Sequence, residues 1–398
     1  MAELLEGPVA IAHLLRRAGF GADPEQWSAL SEKPYDEVLD QLLAGLDAPP
    51  PPDPAKFDPY QLGTIQQVWL ERMVKGTHPL AEKLAMFWHG HFATSEAKIA
   101  DPVLMWRQYQ LFRSKGAGSF RELVLGVSRD VAMIRWLDGN SNRKGHANEN
   151  YGRELQELFT LGIGNYTEQD IREIARAFTG WGSRHHDFVF RPHFHDDGEK
   201  TIHGKTGTFG GEDVVRILTE LPQCAEFISE KLIHFFSHPD PTKAELAVVS
   251  QAFTESGGDI KATLAALFRA PYFRSARSFR RLVRSPVEFC VGALRATGVK
   301  TVPPWIHGAL DRMGQILFRP PSVKGWTSGD GWLSSGGVVE RLRLAQRIPA
   351  LMPKDSKLDV AAIALAGPVP AVLATALERA DPRMRNTIVL GCPEFQLA

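Results

Sequence analysis

Apolar residues recur at helical spacing along almost the whole chain, and no feature restricts the fold more: this period builds amphipathic helices and leaves little room for the alternation of a sheet. From Ile11 to Ala44 the pattern is broken only at Gly19-Phe20-Gly21-Ala22-Asp23-Pro24, where Asp23 is placed to cap a new helix with Pro24 in its first turn. From Thr64 to about Ala93 it is strong, and Leu80, Leu84, Phe87, Trp88 and His91 share one face, so His91 points inward. Further helices are expected over 103–114, 120–127 and 132–137, followed by a polar loop over 138–148. The next helix carries Tyr151, Leu155, Leu158 and Phe159 on its apolar line and closes near Gly162. Thr167 and Asp170 then read as a capping box. Helical periods resume at Glu212 and continue towards Arg379, interrupted by an irregular Trp-rich loop over 317–335.

The period changes once. Between Trp181 and Gly211, Phe188 and Phe190 alternate, Asp196-Asp197-Gly198 marks a turn, and Thr201-Ile202 reads as a second short strand. The expected fold is therefore mainly α, a multi-helical globular bundle with one small β-hairpin-like insertion around residues 185–203, inside a His-rich insertion over 183–211. The proline run that opens the 48–59 segment excludes helix and sheet interior there and predicts an extended surface strap.

With 43% hydrophobic and 23% charged residues, the chain can bury a large core. Its 46 Lys and Arg balance 46 Asp and Glu, so no overall field favours a nucleic acid or an anionic membrane, and neither is expected as a partner. Cys224, Cys290 and Cys392 are far apart and odd in number, which fits buried thiols better than a disulfide framework or a C-x-x-C zinc site. No apolar stretch is long enough for a membrane span, and the N-terminal residues lack the pattern of an export signal. As written the chain reads as cytoplasmic; an exported protein whose signal was removed before this numbering would read the same way.

Four places could carry chemistry. Five of the thirteen histidines fall within residues 185–203, and His195 with Asp196 supplies the imidazole and carboxylate that borderline divalent metals prefer, although no fixed ligand spacing is matched. A polar hairpin with solvated or turn-capping histidines is the structural alternative. His89-Gly90-His91 is the second place. Residues two apart on a helix face different ways, so both can hold one ion only if the helix ends near Gly90, and His91 suits either a buried polar network or acid–base work. Third, Glu154 and Glu157 lie one turn apart at the edge of an apolar line, where paired carboxylates can share a metal or split acid and base roles, or simply make surface ion pairs with neighbours such as Arg153. Fourth, Arg269, Arg274, Arg277, Arg280, Arg281 and Arg284 crowd into one segment beside Tyr272, Phe273 and Phe279, a pattern that can bind phosphates or single-stranded nucleic acid but that in a chain of zero net charge is expected to form an internal salt-bridge network against its acidic helices. Gly204-Lys205-Thr206 is not a phosphate loop, because Glu199 stands where its first glycine belongs.

Several longer motifs carry a family resemblance. They include His13-Leu-Leu-Arg-Arg-Ala-Gly-Phe-Gly21, Phe87-Trp-His-Gly-His-Phe-Ala-Thr-Ser95, the run from Asn148 to Gly162, Tyr166-Thr-Glu-Gln-Asp-Ile-Arg-Glu, Ala177-Phe-Thr-Gly-Trp181, Ser285-Pro-Val-Glu288, Pro320-Pro-Ser-Val-Lys-Gly-Trp326 and Pro393-Glu-Phe-Gln396. His195-Asp196 with Glu199-Lys200-Thr201 belongs to the same set. In these the chain resembles the bacterial DUF1800 family, a domain of unknown function, from one end to the other. The resemblance implies a single helical unit over 1–398, frequent export, and a partner protein of an alkaline-phosphatase-like family often encoded nearby. It implies no established activity. The chain carries Phe159 where some relatives have His.

Two functions remain open at this stage, and whether the protein is an enzyme is left undecided. The first is a hydrolase whose pocket joins His89, His91, Glu154, Glu157, His195 and Asp196, with Arg153 or Lys200 stabilising negative charge. A divalent metal held by His89, His91, His195 and Asp196 would activate water in one version; His91, Glu154 and Glu157 would share acid and base roles in the other. The second is a non-catalytic binding or assembly protein whose polar residues form a buried network. Convergence in an open cleft favours the first, and complete pairing inside the core favours the second.

Overall fold

The computed structural model describes residues 4–398, and they are mainly α-helical, with β-structure confined to the expected insertion. The first helical stretch divides into Gly7–Arg17, Pro24–Leu30 and Tyr35–Ala44. Asp23 caps the second of these by accepting from the Gln26 amide at 2.9 Å, as its position before Pro24 predicts. The expected continuous pattern over 64–93 is two helices, Leu62–Lys75 and Pro79–His91. Gly76 and Pro79 make the break: a Cβ on Gly76 would sit 2.8 Å from the Arg72 carbonyl oxygen, and Pro79 serves as a first-turn residue.

The Pro79–His91 helix runs through the core. Every residue in it except Gly90 is buried, and its apolar face of Leu80, Leu84, Phe87 and Trp88 packs into one contiguous cluster that extends from Ile11 to Phe395. Its polar residues are paired inside that cluster. Glu82 accepts from the Trp69 indole, the Tyr109 hydroxyl and the Arg113 Nε, each at about 3 Å. Lys83 ion-pairs with Glu288, whose own helix, Pro286–Ala296, opens with a Ser285/Glu288 capping box. Leu4 bridges to Ser275 and Val283 to Leu397, so the two ends of the described chain meet the same segment.

The strap at 48–59 is neither helix nor strand, and Arg72 holds it through the carbonyls of Pro51 and Pro52 and the carboxylate of Asp53. Thr167 and Asp170 form the expected capping box on the helix Glu168–Ala177. Within the insertion the two anticipated strands belong to different sheets. β1 (Trp181–Arg184) pairs with β2 (Asp187–Phe190), and β3 (Lys200–Ile202) pairs with β4 (Lys205–Gly207), both antiparallel. His185 has a left-handed φ of 53° in the first turn; His203 and Gly204, at 46° and 76°, make the second, the backbone that two-residue hairpins of primed type require. No helix among the described residues is long and apolar enough to cross a membrane.

Candidate functional site

The helix that follows the polar loop is the least regular in the molecule. It begins as α-helix over Asn150–Glu154 and widens to a π-turn over Leu155–Thr160, a distortion the apolar spacing does not encode. The Thr160 hydroxyl donates back to the Leu155 carbonyl at 2.6 Å, and Gly162, with φ 82°, ends the turn. A π-turn at a helix end leaves carbonyls without amide partners. His91 supplies one: its Nε2–H donates to the Phe159 carbonyl at 3.0 Å. Phe159 itself is buried beside His91 and Phe92.

His89 faces the other way. Its Nε2 accepts from the Phe318 amide at 3.0 Å, which fixes that nitrogen as unprotonated, and its ring packs against Trp69, Phe318 and Trp326. Phe318 is a buried non-glycine residue with a left-handed φ of 65°, held there by the His89 contact on its amide and by the Glu96 amide on its carbonyl. Burial pushes the pKa of both His89 and His91 down to about 3. Both imidazoles are therefore neutral at working pH, and neither can serve as a proton donor of ordinary acidity. Between them, Gly90 and Gly325 bring two motifs into backbone contact, since a Cβ on Gly325 would lie 2.5 Å from the Gly90 carbonyl oxygen.

His195 and Asp196 sit in the insertion among other partners. His195 Nδ1–H donates to the Thr179 carbonyl at 2.9 Å. Asp196 takes a two-point ion pair from Arg176, at 2.8 and 3.3 Å, and the Gly198 amide at 3.0 Å; the Arg176 hydrogen bond is the main reason its carboxyl lies at about 2. Lys200 is buried and donates to the carbonyls of Asp196 and Gly198 at 2.6 and 2.9 Å, closing the turn that the Asp-Asp-Gly sequence predicts. Its ammonium is spent on main chain and does not project into a cleft. Desolvation lowers its pKa.

Among the described residues the expected metal set is not brought together. His89 and His91 turn their Nε2 atoms to opposite sides of one helix end, His195 and Asp196 are bound within a separate hairpin segment, and no group of three or more His, Cys, Asp or Glu side chains suited to an ion forms among the described residues. Spacing along the sequence could not show which way each imidazole turns. Arg153 is likewise a surface residue, forked onto Glu168 at 2.9 and 3.0 Å and reaching Glu149 at 3.4 Å.

Glu154 and Glu157 remain accessible. Glu154 is half-buried, and its pKa is raised first by desolvation and then by the neighbouring charge of Glu157, with Lys324 of the Trp-rich loop and Arg153 acting against this. Glu157 accepts from the Tyr166 hydroxyl at 2.5 Å and stands on the rim of an open groove between the π-turn and the helices Pro222–Phe236 and Lys243–Glu255. Leu158, Leu161, Phe227 and Leu246 line its apolar part; Glu157, Glu226, Glu230 and Lys231 form a rim of net charge −2. Ile163, just past the π-turn, is 76% exposed at the groove's edge.

Sequence spacing missed Tyr166, Lys324 and Gln156 as parts of this region. Gln156 is fully buried and its Oε1 accepts from His203 Nε2 at 2.9 Å, while the His203 amide donates to Asp170, so the second hairpin is tied to the π-turn. Their signal was their place in the longer motifs rather than any spacing. No curated protein and no solved structure matches the chain. A family model described as a protein of unknown function, DUF1800, matches residues 13–397, and the chain belongs to that family.

Proposed function

We propose that the whole chain acts as one unit, a binding or assembly protein that docks a partner in the groove beside Glu157, and that its histidine and lysine motifs are the internal frame of that surface. The observation that carries this reading is that His89, His91, His195 and Lys200 each give a polar atom to a main-chain group, in segments that bring no three ligating side chains together among the described residues. An exposed isoleucine beside an apolar groove with an acidic rim suits a partner segment with an apolar anchor flanked by Lys or Arg. The alkaline-phosphatase-like protein implied by the family resemblance is the partner to try first. Calorimetric titration of the two purified proteins should give a complex that weakens with salt and is lost in Glu226→Lys/Glu230→Lys. Binding that is unchanged in this double variant would contradict the groove as the docking site.

One observation favours a second reading, a metal-free hydrolase: a carboxyl with raised pKa, Glu154, one helical turn from Glu157 and its tyrosine partner is the arrangement that splits acid and base roles. Hydrolysis of ester or peptide probes that Glu154→Gln abolishes, with the fold intact, would establish it in place of the first.

A further inference from the structure

The N-terminal motif places two adjacent arginines at the end of the helix Gly7–Arg17, and they meet different fates. Arg17 is buried but satisfied: its Nε donates to the Phe236 carbonyl at 3.0 Å, and Glu288 lies in its field. Arg16 is 5% exposed, and its Nε, Nη1 and Nη2 have no hydrogen-bond partner among the described residues. The charges it feels are Arg284, Arg280 and Arg17, all of its own sign.

Two carboxylates act on the neighbouring cations, Glu394 on Arg280 and Glu288 on Arg284 and Arg17, and neither is among the charges that act on Arg16. Glu288 is already taken by Lys83 and by the Ser285 amide at 2.7 Å. Arg280 gives its N–H groups to the carbonyls of Pro368 and Leu365, at 2.6 and 2.9 Å. Arg284 donates to the Leu397 carbonyl at 3.2 Å and lies over the Phe395 ring. Carbonyl oxygens satisfy hydrogen bonds but carry no net charge, so buried Arg16 and Arg284, with half-buried Arg280 beside them, gather positive charge around a guanidinium that has no partner of its own among the described residues. A buried unpaired charge is among the costliest features a fold can keep, and water would supply hydrogen bonds without neutralising it.

We propose that Arg16, with Arg280 and Arg284 beside it, is a binding site for a small oxyanion of the phosphate or sulfate class. The guanidinium fork of Arg16 presents its N–H donors in the planar geometry that engages two oxygens of such an anion at once, which a spherical halide cannot use. Entry is by the turn segment that carries Phe279 and Arg280, both only partly buried; Phe279 lies against the Arg16 guanidinium, and Arg280 holds a left-handed φ of 52°. The site stands apart from the groove and is independent of the function proposed for it.

The test is titration of the full chain with inorganic phosphate at constant ionic strength, balanced with sodium chloride, read by calorimetry and by the melting temperature. The wild type is expected to bind phosphate saturably, one per chain, with a melting temperature that climbs with phosphate concentration. Arg16→Met should bind roughly tenfold more weakly or worse, and in phosphate-free buffer should melt no lower than the wild type, because it removes an unpaired buried charge. Absence of saturable binding to the wild type, or equal binding by Arg16→Met, overturns the proposal. If Arg16→Met does not fold, Arg280→Gln takes its place: weakened phosphate binding supports the site, and wild-type binding overturns it.

Discussion

His89 and His91 show how little a histidine's neighbours in sequence say about its role. The Phe-Trp-His-Gly-His-Phe run looks like a ligand pair, yet each ring has one nitrogen fixed by a main-chain group, Phe318 N–H for one and Phe159 C=O for the other. The pH dependence of stability follows from their burial. In the unfolded chain both titrate near 6.5, and in the folded chain at about 3, so their contribution is complete above pH 6.5 and is lost as pH falls towards 3. His13, lowered first by burial and then by Arg16, adds to this, whereas Asp130, raised by burial to about 6, works in the opposite direction below pH 6. His203, His234, His238 and His307 are lowered by burial as well, and Glu154 is raised beside Asp130, so seven histidines against two carboxyls leave a net fall. Urea unfolding between pH 7.5 and 4.5 should therefore show stability declining by about 1–3 kcal/mol per pH unit below 6.5, and a flat profile would mean that these imidazoles are solvated. Gly325 gives a sharper single-residue test. Its φ of 81° and its 2.5 Å Cβ approach to the Gly90 carbonyl make Gly325→Ala strained on two counts, with an expected loss of roughly 1–3 kcal/mol that thermal unfolding would detect.

At the scale of elements, the sequence was legible wherever a local rule decides the outcome. Asp23 and Thr167 cap the helices they precede, the Asp196–Gly198 turn forms, and the helical period marks the core face on which Leu80, Leu84, Phe87 and Trp88 pack. What it did not disclose are decisions made by tertiary contacts. The π-turn at Leu155–Thr160 depends on Thr160 bonding back to Leu155 and on His91 and His203 arriving from distant segments, and the partners of the insertion strands depend on two-residue turns that a pattern with His at both corners conceals. The insertion also yields a prediction of its own. Lys200→Met keeps the bulk of the side chain but leaves the Asp196 and Gly198 carbonyls without their buried donor. Hydrogen exchange should speed up at the β3–β4 amides while the Pro79–His91 helix stays protected, at a cost of about 1–3 kcal/mol; equal loss of protection in both would contradict a local role for Lys200.

Across the whole molecule, the motifs that run from residue 13 to 397 meet one another through polar atoms turned inward. His13 contacts the Phe273 carbonyl, Arg17 that of Phe236, Arg295 those of Gly21 and Val74, and Arg341 that of Arg284. For the arginine-rich segment the sequence favours an internal salt-bridge network, and the segment is only partly that. Arg269 and Arg277 pair with Asp40 and Glu245, whereas Arg280 and Arg284 give their hydrogen bonds to carbonyls, with Glu394 and Glu288 acting on them only through their charge, and crowd Arg16 with charge of its own sign. Net charge summed over the chain conceals such a local imbalance. Outward, the same frame presents Glu154, Glu157 and the groove behind them. Under the proposed function, the histidine motifs frame this surface without a bound ion. The most direct test is elemental analysis of the purified, untagged protein beside a His91→Ala/His195→Ala variant. No near-stoichiometric divalent metal is expected in the wild type, and the variant should differ only in stability. A metal present at about one per chain in the wild type, and missing from a variant that remains folded, would contradict that expectation.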